Sequence, residues 1–219
     1  MNYAFSYLER ERELADFQSP QRAPITVLRQ WKHALDRFQL VEAPIIEMCT
    51  RNLLELYYHT STVIIETYGA EHETVFDTCT DRFRTIVGLA ESVTENWKKE
   101  SMDFNILFSF DLGITPPMFF VASRCRHPVI RRRAVDMMLH SPFYHGIWQD
   151  RYSGLCARRM IEIEEGNGGL GIDDHVSEDR RIRKVSADLQ EEGSQILLRF
   201  VRWPYTSESP VHTTFVSLI

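Results

Sequence analysis

Apolar residues recur at helical spacing through most of this chain and change to alternation near its end. From Pro24, the residues Val27, Leu28, Trp31, Leu35 and Phe38 fall on one helical face. A second run follows Pro44, with Ile45, Met48, Leu53, Leu56, Tyr57, Val63, Ile64 and Ile65 as its apolar members. Its length predicts a helix contacted on more than one side, ended by Tyr68-Gly69. Val75, Phe76, Cys79, Phe83, Ile86, Val87, Ala90, Val93 and Trp97 make the cleanest amphipathic pattern. A last helix is predicted from about Trp148 to Glu165, with Tyr152, Leu155, Cys156, Met160 and Ile163 on the same face as Trp148.

Between these lies Phe110 to Trp148, which reads as helix, break, helix, break, helix. Gly113 suits a helix C-terminal cap, where only glycine takes the left-handed conformation without steric cost. Pro116 and Pro117 fit a first helical turn, where a missing N–H costs nothing. Pro128 and Pro142 repeat the punctuation.

The character changes after Glu165. Gly166 to Asp179 is rich in glycine and acid, has little to bury, and reads as a mobile linker. Val185, Ala187 and Leu189 then alternate with polar neighbours, Glu191 to Ser194 supplies a turn, and Ile196, Leu198 and Phe200 alternate again. That is the pattern of a β-hairpin, which must pack on the helices because an isolated one is marginal in water. The expected fold is mainly α: an array of antiparallel helix pairs with a small C-terminal β-hairpin. Its expected divisions are an N-terminal arm (1–23), a helical domain (24–165), a flexible linker (166–180), the hairpin (181–204) and a tail (205–219).

Length and charge bound what such a fold does. The 219 residues suffice for one well-buried core. With 25 Lys and Arg against 31 Asp and Glu, the chain is slightly acidic, which gives no support for broad charge-driven nucleic-acid binding. The most apolar stretch, Phe104 to Ala122, is interrupted by Asp111 and the proline pair, so no membrane span is expected. The N-terminus lacks a signal-peptide apolar core, and an intracellular protein is the expectation. Cys49, Cys79, Cys125 and Cys156 are far apart, form no Cys-x-x-Cys pair and sit among apolar helical neighbours. They read as four buried free thiols, with no metal and no cofactor expected.

Candidate chemistry is sparse. Gly166-Asn-Gly168-Gly169-Leu-Gly171 formally matches a dinucleotide loop, yet a helix ending in Glu162, Glu164 and Glu165 precedes it, and Asp173 and Asp174 follow. A phosphate loop needs a strand before it and free helical N–H groups after it. The histidines show no ligand spacing. Glu71, Glu73, Asp77 and Asp81 read as helix-start charges and exposed faces. Arginines crowd the middle segment. Arg126, Arg131, Arg132 and Arg133, with Tyr144 and Trp148, form a candidate interaction surface for an acidic partner. The competing reading is solvated arginines and ion pairs that fix helix packing, Arg132 being placed to meet Asp136 at four-residue spacing.

Several motifs occur in one order. They are Phe110-Asp111-Leu112-Gly113-Ile114, Pro116-Pro117, Val121-Ala122, Cys125-Arg126, Pro128, Ile130-Arg131-Arg132-Arg133-Ala134, Gly146 and Trp148. Upstream stand Arg29-Gln30-Trp31, the run Leu53 to Thr67, and Glu73 to Ala90 with Phe76-Asp77 and Phe83. From Leu28 to Glu165 this resembles the C-terminal helical regulatory region of fungal binuclear zinc cluster transcription factors. Two departures matter. Phe143-Tyr144-His145 stand where the family usually has paired arginines before its Gly-x-Trp element, and the six-cysteine DNA-binding cluster with its basic linker is not in this sequence. The resemblance implies a nuclear regulatory domain without catalytic residues. It would act through a protein partner or self-association, with room for a small effector and without direct sequence-specific DNA binding. The alternative class is a helical enzyme or accessory protein of a biosynthetic pathway with an inter-helix pocket.

Overall fold

A computed structural model describes residues 22–37, 44–100, 107–109, 113–141, 143–145, 148–166, 169–171, 174–190 and 194–218. Its helices are α1 (Arg22–Arg37), α2 (Ile45–Glu66), α3 (Thr80–Glu100), α4 (Thr115–Arg124), α5 (Pro128–Leu139) and α6 (Asp150–Glu165). Short 3-10 turns span Glu73–Cys79 and Glu178–Arg180. The strands are β1 (Leu107–Ser109), β2 (Phe143–His145), β3 (Trp148–Gln149), β4 (Ile182–Leu189), β5 (Gln195–Arg202) and β6 (Val211–Ser217). The protein is mainly helical, with a small antiparallel sheet at its C-terminal end.

Local chemistry explains most boundaries. Pro44 immediately precedes α2, and Pro116 and Pro117 stand in the first turn of α4. Four threonines sit in or at the end of α2. Thr50, Thr60, Thr62 and Thr67 each donate a hydroxyl hydrogen to the carbonyl four residues earlier, at 2.7–2.9 Å, so each hydroxyl is satisfied without leaving the helix. Gly69, at φ 77°, turns the chain beyond them. The helices pack in sequence: α2 on α3, α4 on α5, and α5 on α6. Leu56, Phe83, Ile86, Met118 and Ala134 are fully buried at the centre of this array. Phe76, Phe83 and Phe120 meet with ring centroids 6.0–6.5 Å apart and join the first 3-10 turn, α3 and α4. Gly154 of α6 faces Leu139 of α5 so closely that an added Cβ would lie 2.9 Å from it.

The structure departs from the expected pattern in several places. Before Gly113 the nearest described element is β1, paired in parallel with β2, and the residues that Gly113 was expected to cap lie outside the described ones. Gly113 keeps the left-handed conformation, φ 53°, and its carbonyl accepts the Tyr57 hydroxyl at 2.9 Å. After α5 the chain forms β2 and β3, and α6 begins at Asp150 rather than Trp148. Most consequentially, the expected hairpin is a three-stranded meander. Residues 211–217, expected as part of a tail, pair with β5 from Gln195↔Ser217 to Val201↔Val211. Val216 is buried beneath the sheet while its neighbours are polar or exposed, so only one apolar member of this strand reached the core. The segment expected as a linker also carries a buried residue, Val176. Phe38 and Phe110 to Leu112 lie outside the described residues, as does most of the expected N-terminal arm.

Leu155, Cys156 and Met160 of α6 meet Ile182, Leu198, Phe200 and Val216 of the sheet in a second apolar core. α6 therefore faces the helical array on one side and the sheet on the other. All four cysteines are buried, as their apolar neighbours predict. Burial pushes the Cys125 thiol up to about 11 and the Cys156 thiol up to about 12. Among the described residues no helix is long and apolar enough to cross a membrane.

Candidate functional site

The most unusual chemistry of the molecule lies where the helices meet the sheet. Arg131 and Glu164 are 0% exposed, Glu73 1%, Arg181 2% and Arg126 5%. Charges so deeply buried persist only when paired and hydrogen-bonded. Each of these groups is supplied by a different part of the chain. Glu73 opens the 3-10 turn before α3. Arg126 sits in the joint between α4 and α5, and Arg131 in the first turns of α5. Glu164 ends α6, and Arg181 immediately precedes β4.

Glu164 stands at the centre. Its Oε1 accepts Nη2 of Arg126 at 2.8 Å and the backbone N–H of Ile182 at 2.9 Å. Its Oε2 accepts Nη2 of Arg131 at 2.6 Å. One carboxylate thus ties the end of α6 to α5, to the α4–α5 joint and to the first residue of β4. Burial alone would raise its pKa; the charges of Arg126 and Arg131, with the hydrogen bonds from Arg126 and Ile182, outweigh that and hold it at about 2. Burial likewise works against the Arg126 guanidinium, but Glu164 and Glu73 overcome it and raise its pKa. For Arg131 burial wins and its pKa is lowered, with Glu164 opposing and Arg126 reinforcing.

Glu73 forms the second node. Its carboxylate receives Arg124 at 2.7 Å and Arg126 at 3.1 Å, with Arg183 of β4 at 3.5 Å. Its backbone N–H donates to Oε1 of Glu178 at 2.8 Å, and its carbonyl accepts Nη1 of Arg181 at 3.0 Å. Arg181 also grips Asp77 through two parallel bonds of 2.9 and 2.7 Å, and its Nε donates to the Val176 carbonyl. Tyr205, in the connection from β5 to β6, covers this end. Its hydroxyl donates to the Arg181 carbonyl at 3.3 Å, and its ring lies under the Arg183 guanidinium. At the other end, Arg132 pairs with Glu165 and reaches the Leu170 carbonyl at 3.3 Å. Within the network Arg126 Nε, Arg131 Nε, Arg131 Nη1 and Glu165 Oε1 are buried without a hydrogen-bond partner; the last two lie 3.8 Å apart.

The candidate surface residues therefore separate. Arg126 and Arg131 are not on a surface: their charge is spent on Glu73 and Glu164 inside the protein. Arg132 meets Glu165 rather than Asp136, because the fold brings the end of α6 alongside α5. Arg133 is exposed and forks onto Glu91 of α3, with Nε at 2.9 Å. Tyr144 and Trp148 fall in β2 and β3, of which only the backbone is described. Glu73, expected as an exposed helix-start charge, is a buried node, and Asp77 is the partner of Arg181. Glu164 enters the sequence reading only as one of the carboxylates that end the last helix, and Arg181 does not enter it. The signal for Glu164 was faint: it lies on α6 one turn beyond buried Met160, on the stripe that faces other elements.

The Gly166–Gly171 stretch holds no phosphate cradle among its described residues. Gly166, at φ 74°, ends α6 with its N–H on the Glu162 carbonyl, and its missing Cβ leaves room for the Arg180 guanidinium at 2.8 Å. Of the histidines, His140 holds Nδ1 2.8 Å from the Asp136 carbonyl, and His72 stacks on Trp203 at 4.4 Å.

No protein-family profile matches the chain, and no solved structure matches it. Over 63 residues it is 32% identical to the aspercryptin biosynthesis cluster-specific transcription regulator atnN of Emericella nidulans. The matched stretch is 29% of this chain and 10% of that regulator. The chain is thus related in part to a fungal transcription regulator, which is consistent with a role in transcription regulation.

Proposed function

We propose that this chain is a regulatory domain of the fungal transcription-factor type, acting in the nucleus through protein contacts and not through base reading of its own. The similarity to a cluster-specific transcription regulator carries this reading. The chemistry at the helix–sheet junction supports it. Arg126, Arg131 and Arg181 are the arginines best held in place: the first two are committed to buried carboxylates and the third to Asp77, and all three are themselves buried, out of reach of a phosphate backbone. The net charge of −6 points the same way. In this reading the ion-pair network is a brace that sets the sheet against the helices and gives protein partners a fixed surface to recognise.

Chromatin immunoprecipitation of the tagged, full-length chain in its host tests the proposal. Enrichment at a discrete set of promoters, with no sequence-selective DNA binding by the purified chain, is the expected outcome. Absence of promoter enrichment would overturn the regulatory role. Tight, sequence-selective binding by the purified chain alone would overturn the indirect route.

A further inference from the structure

The two edges of the C-terminal sheet are built differently. The β4 edge is guarded. It carries Arg183, Lys184 and Asp188, its register with β5 shifts between Arg183 and Ser186, and Lys184 takes a left-handed φ of 52°. Charge, a bulge and a kink are the devices by which proteins prevent strands from adding to an edge. The β6 edge has none of these. Its sequence, Val211-His-Thr-Thr-Phe-Val-Ser217, contains no Asp, Glu, Lys, Arg, Pro or Gly and pairs with β5 in unbroken register. No described strand lies on its other side. Val211 is 57% exposed and Phe215 56%.

The hydrogen-bond phase of this edge follows from the ladder. The Leu218 N–H bonds the Ser194 carbonyl, and the Gln190 N–H bonds the Gln195 carbonyl. Narrow and wide pairs alternate in an antiparallel ladder. Ile196↔Val216, Leu198↔Thr214 and Phe200↔His212 are therefore the hydrogen-bonded pairs. Thr213 and Phe215 then turn their backbone N–H and C=O groups outward, away from β5, as does Val211.

We infer that β6 is a homodimer interface: the β6 strands of two copies of this chain pair antiparallel across a two-fold axis at Thr214, joining two three-stranded sheets into one. Strand addition is a general mode of recognition, and a two-fold contact requires a strand complementary to itself. This register meets that requirement. Thr213 lies against the partner's Phe215 in a hydrogen-bonded pair, His212 lies against the partner's Val216, and no like charges oppose. The strand carries no charged residue, so two copies meet there without like-charge repulsion between the strands. One strand pair covers less than the roughly 1,200 Å² of a stable interface, so the dimer is weak, on the order of micromolar or above. The inference is independent of the regulatory reading, since it rests on the sheet edge alone.

Sedimentation equilibrium of the purified full chain, from micromolar to submillimolar, is the test, with amide hydrogen exchange on the same samples. The apparent mass should rise toward that of a dimer, and the amides of Val211, Thr213 and Phe215 should gain protection as concentration rises. Thr213→Pro removes an outward N–H without touching the bonds to β5, and should weaken association roughly tenfold or more. Phe215→Lys, which places a charge on the edge, should do the same and carries the test if circular dichroism shows Thr213→Pro misfolded. Val27→Lys, on the exposed side of α1, should leave association unchanged. A monomer at every concentration, a dimer indifferent to Phe215→Lys, or edge protection that does not change with concentration would each overturn the assignment.

Discussion

The interior of the helical array and its junction with the sheet are both deeply buried, yet they hold together by different rules. Leu56, Phe83, Ile86 and Met118 contribute by area and shape, and each loses stability in proportion to the volume removed. Glu164, Arg126 and Arg131 contribute only as a set. Each would be a liability alone, because an uncompensated buried charge costs more than the intact pair returns. An apolar core tolerates imprecise neighbours, whereas the ionic junction is satisfied only when five separate chain segments arrive in one arrangement. It therefore specifies how the sheet sits on the helices more than it adds stability.

Paired truncations put this contrast under the most strain. Phe83→Ala in the array and Glu164→Ala at the junction should each cost about 3–5 kcal/mol in chemical denaturation. They should respond differently to a second change. Adding Arg131→Met to Glu164→Ala removes one of the stranded charges and should restore more than about 1 kcal/mol, whereas truncating a neighbour of Phe83 should restore nothing. Simple additivity at the junction would show that its charges do not act as a unit.

Acid sharpens the same comparison. The Glu164 pKa lies at about 2 in the folded protein, against 4.5 for an unperturbed carboxyl. Its stabilising contribution, roughly 3 kcal/mol, is complete above about pH 4.5 and is lost as pH falls from there through 2. Glu164→Gln should flatten the acid limb of the stability–pH curve. The Phe83→Ala protein should keep that limb at lower overall stability. An unchanged acid limb in Glu164→Gln would mean that another carboxylate dominates.

Smaller effects complete the scale. Gly154→Ala forces a methyl against Leu139 and should cost about 1–3 kcal/mol, read as a lowered thermal midpoint. Arg133→Ala breaks an exposed pair with Glu91 and should cost less than about 1 kcal/mol, falling further in high salt. A larger loss would place Arg133 among the structural arginines.

Much of the helical array was legible because burial of a helix face leaves a period in the sequence. Phe83, Ile86, Val87 and Ala90 announced α3 and its inward side, although Val75 to Cys79, read as part of the same helix, form the 3-10 turn before it; Pro116, Pro117 and Pro128 announced the starts of α4 and α5. The short strands β1 to β3 were hidden, since a few residues form strand only where the fold brings a partner alongside. β6 was hidden for a related reason: it buries one apolar side chain, Val216, and so lacks the alternation that identified β4 and β5. The junction was least legible. Arg126, Arg131 and Arg132 look like Arg133 in a sequence, and Glu164 looks like Glu162. Their separation into buried brace and solvated surface depends on which chain segments arrive beside them.

Local sequence was enough to set the helical character of the protein, the placement of its main helices, the burial of its four thiols and a partial similarity to a fungal transcription regulator. All of these follow from local spacing, capping and residue order. It took the fold to bring Glu73, Glu164, Arg126, Arg131 and Arg181 into one buried network, and to make Val211–Ser217 the last strand of the sheet among the described residues. Both are matters of contact between segments distant in the chain, and periodicity along a single segment carries no record of what that segment will meet.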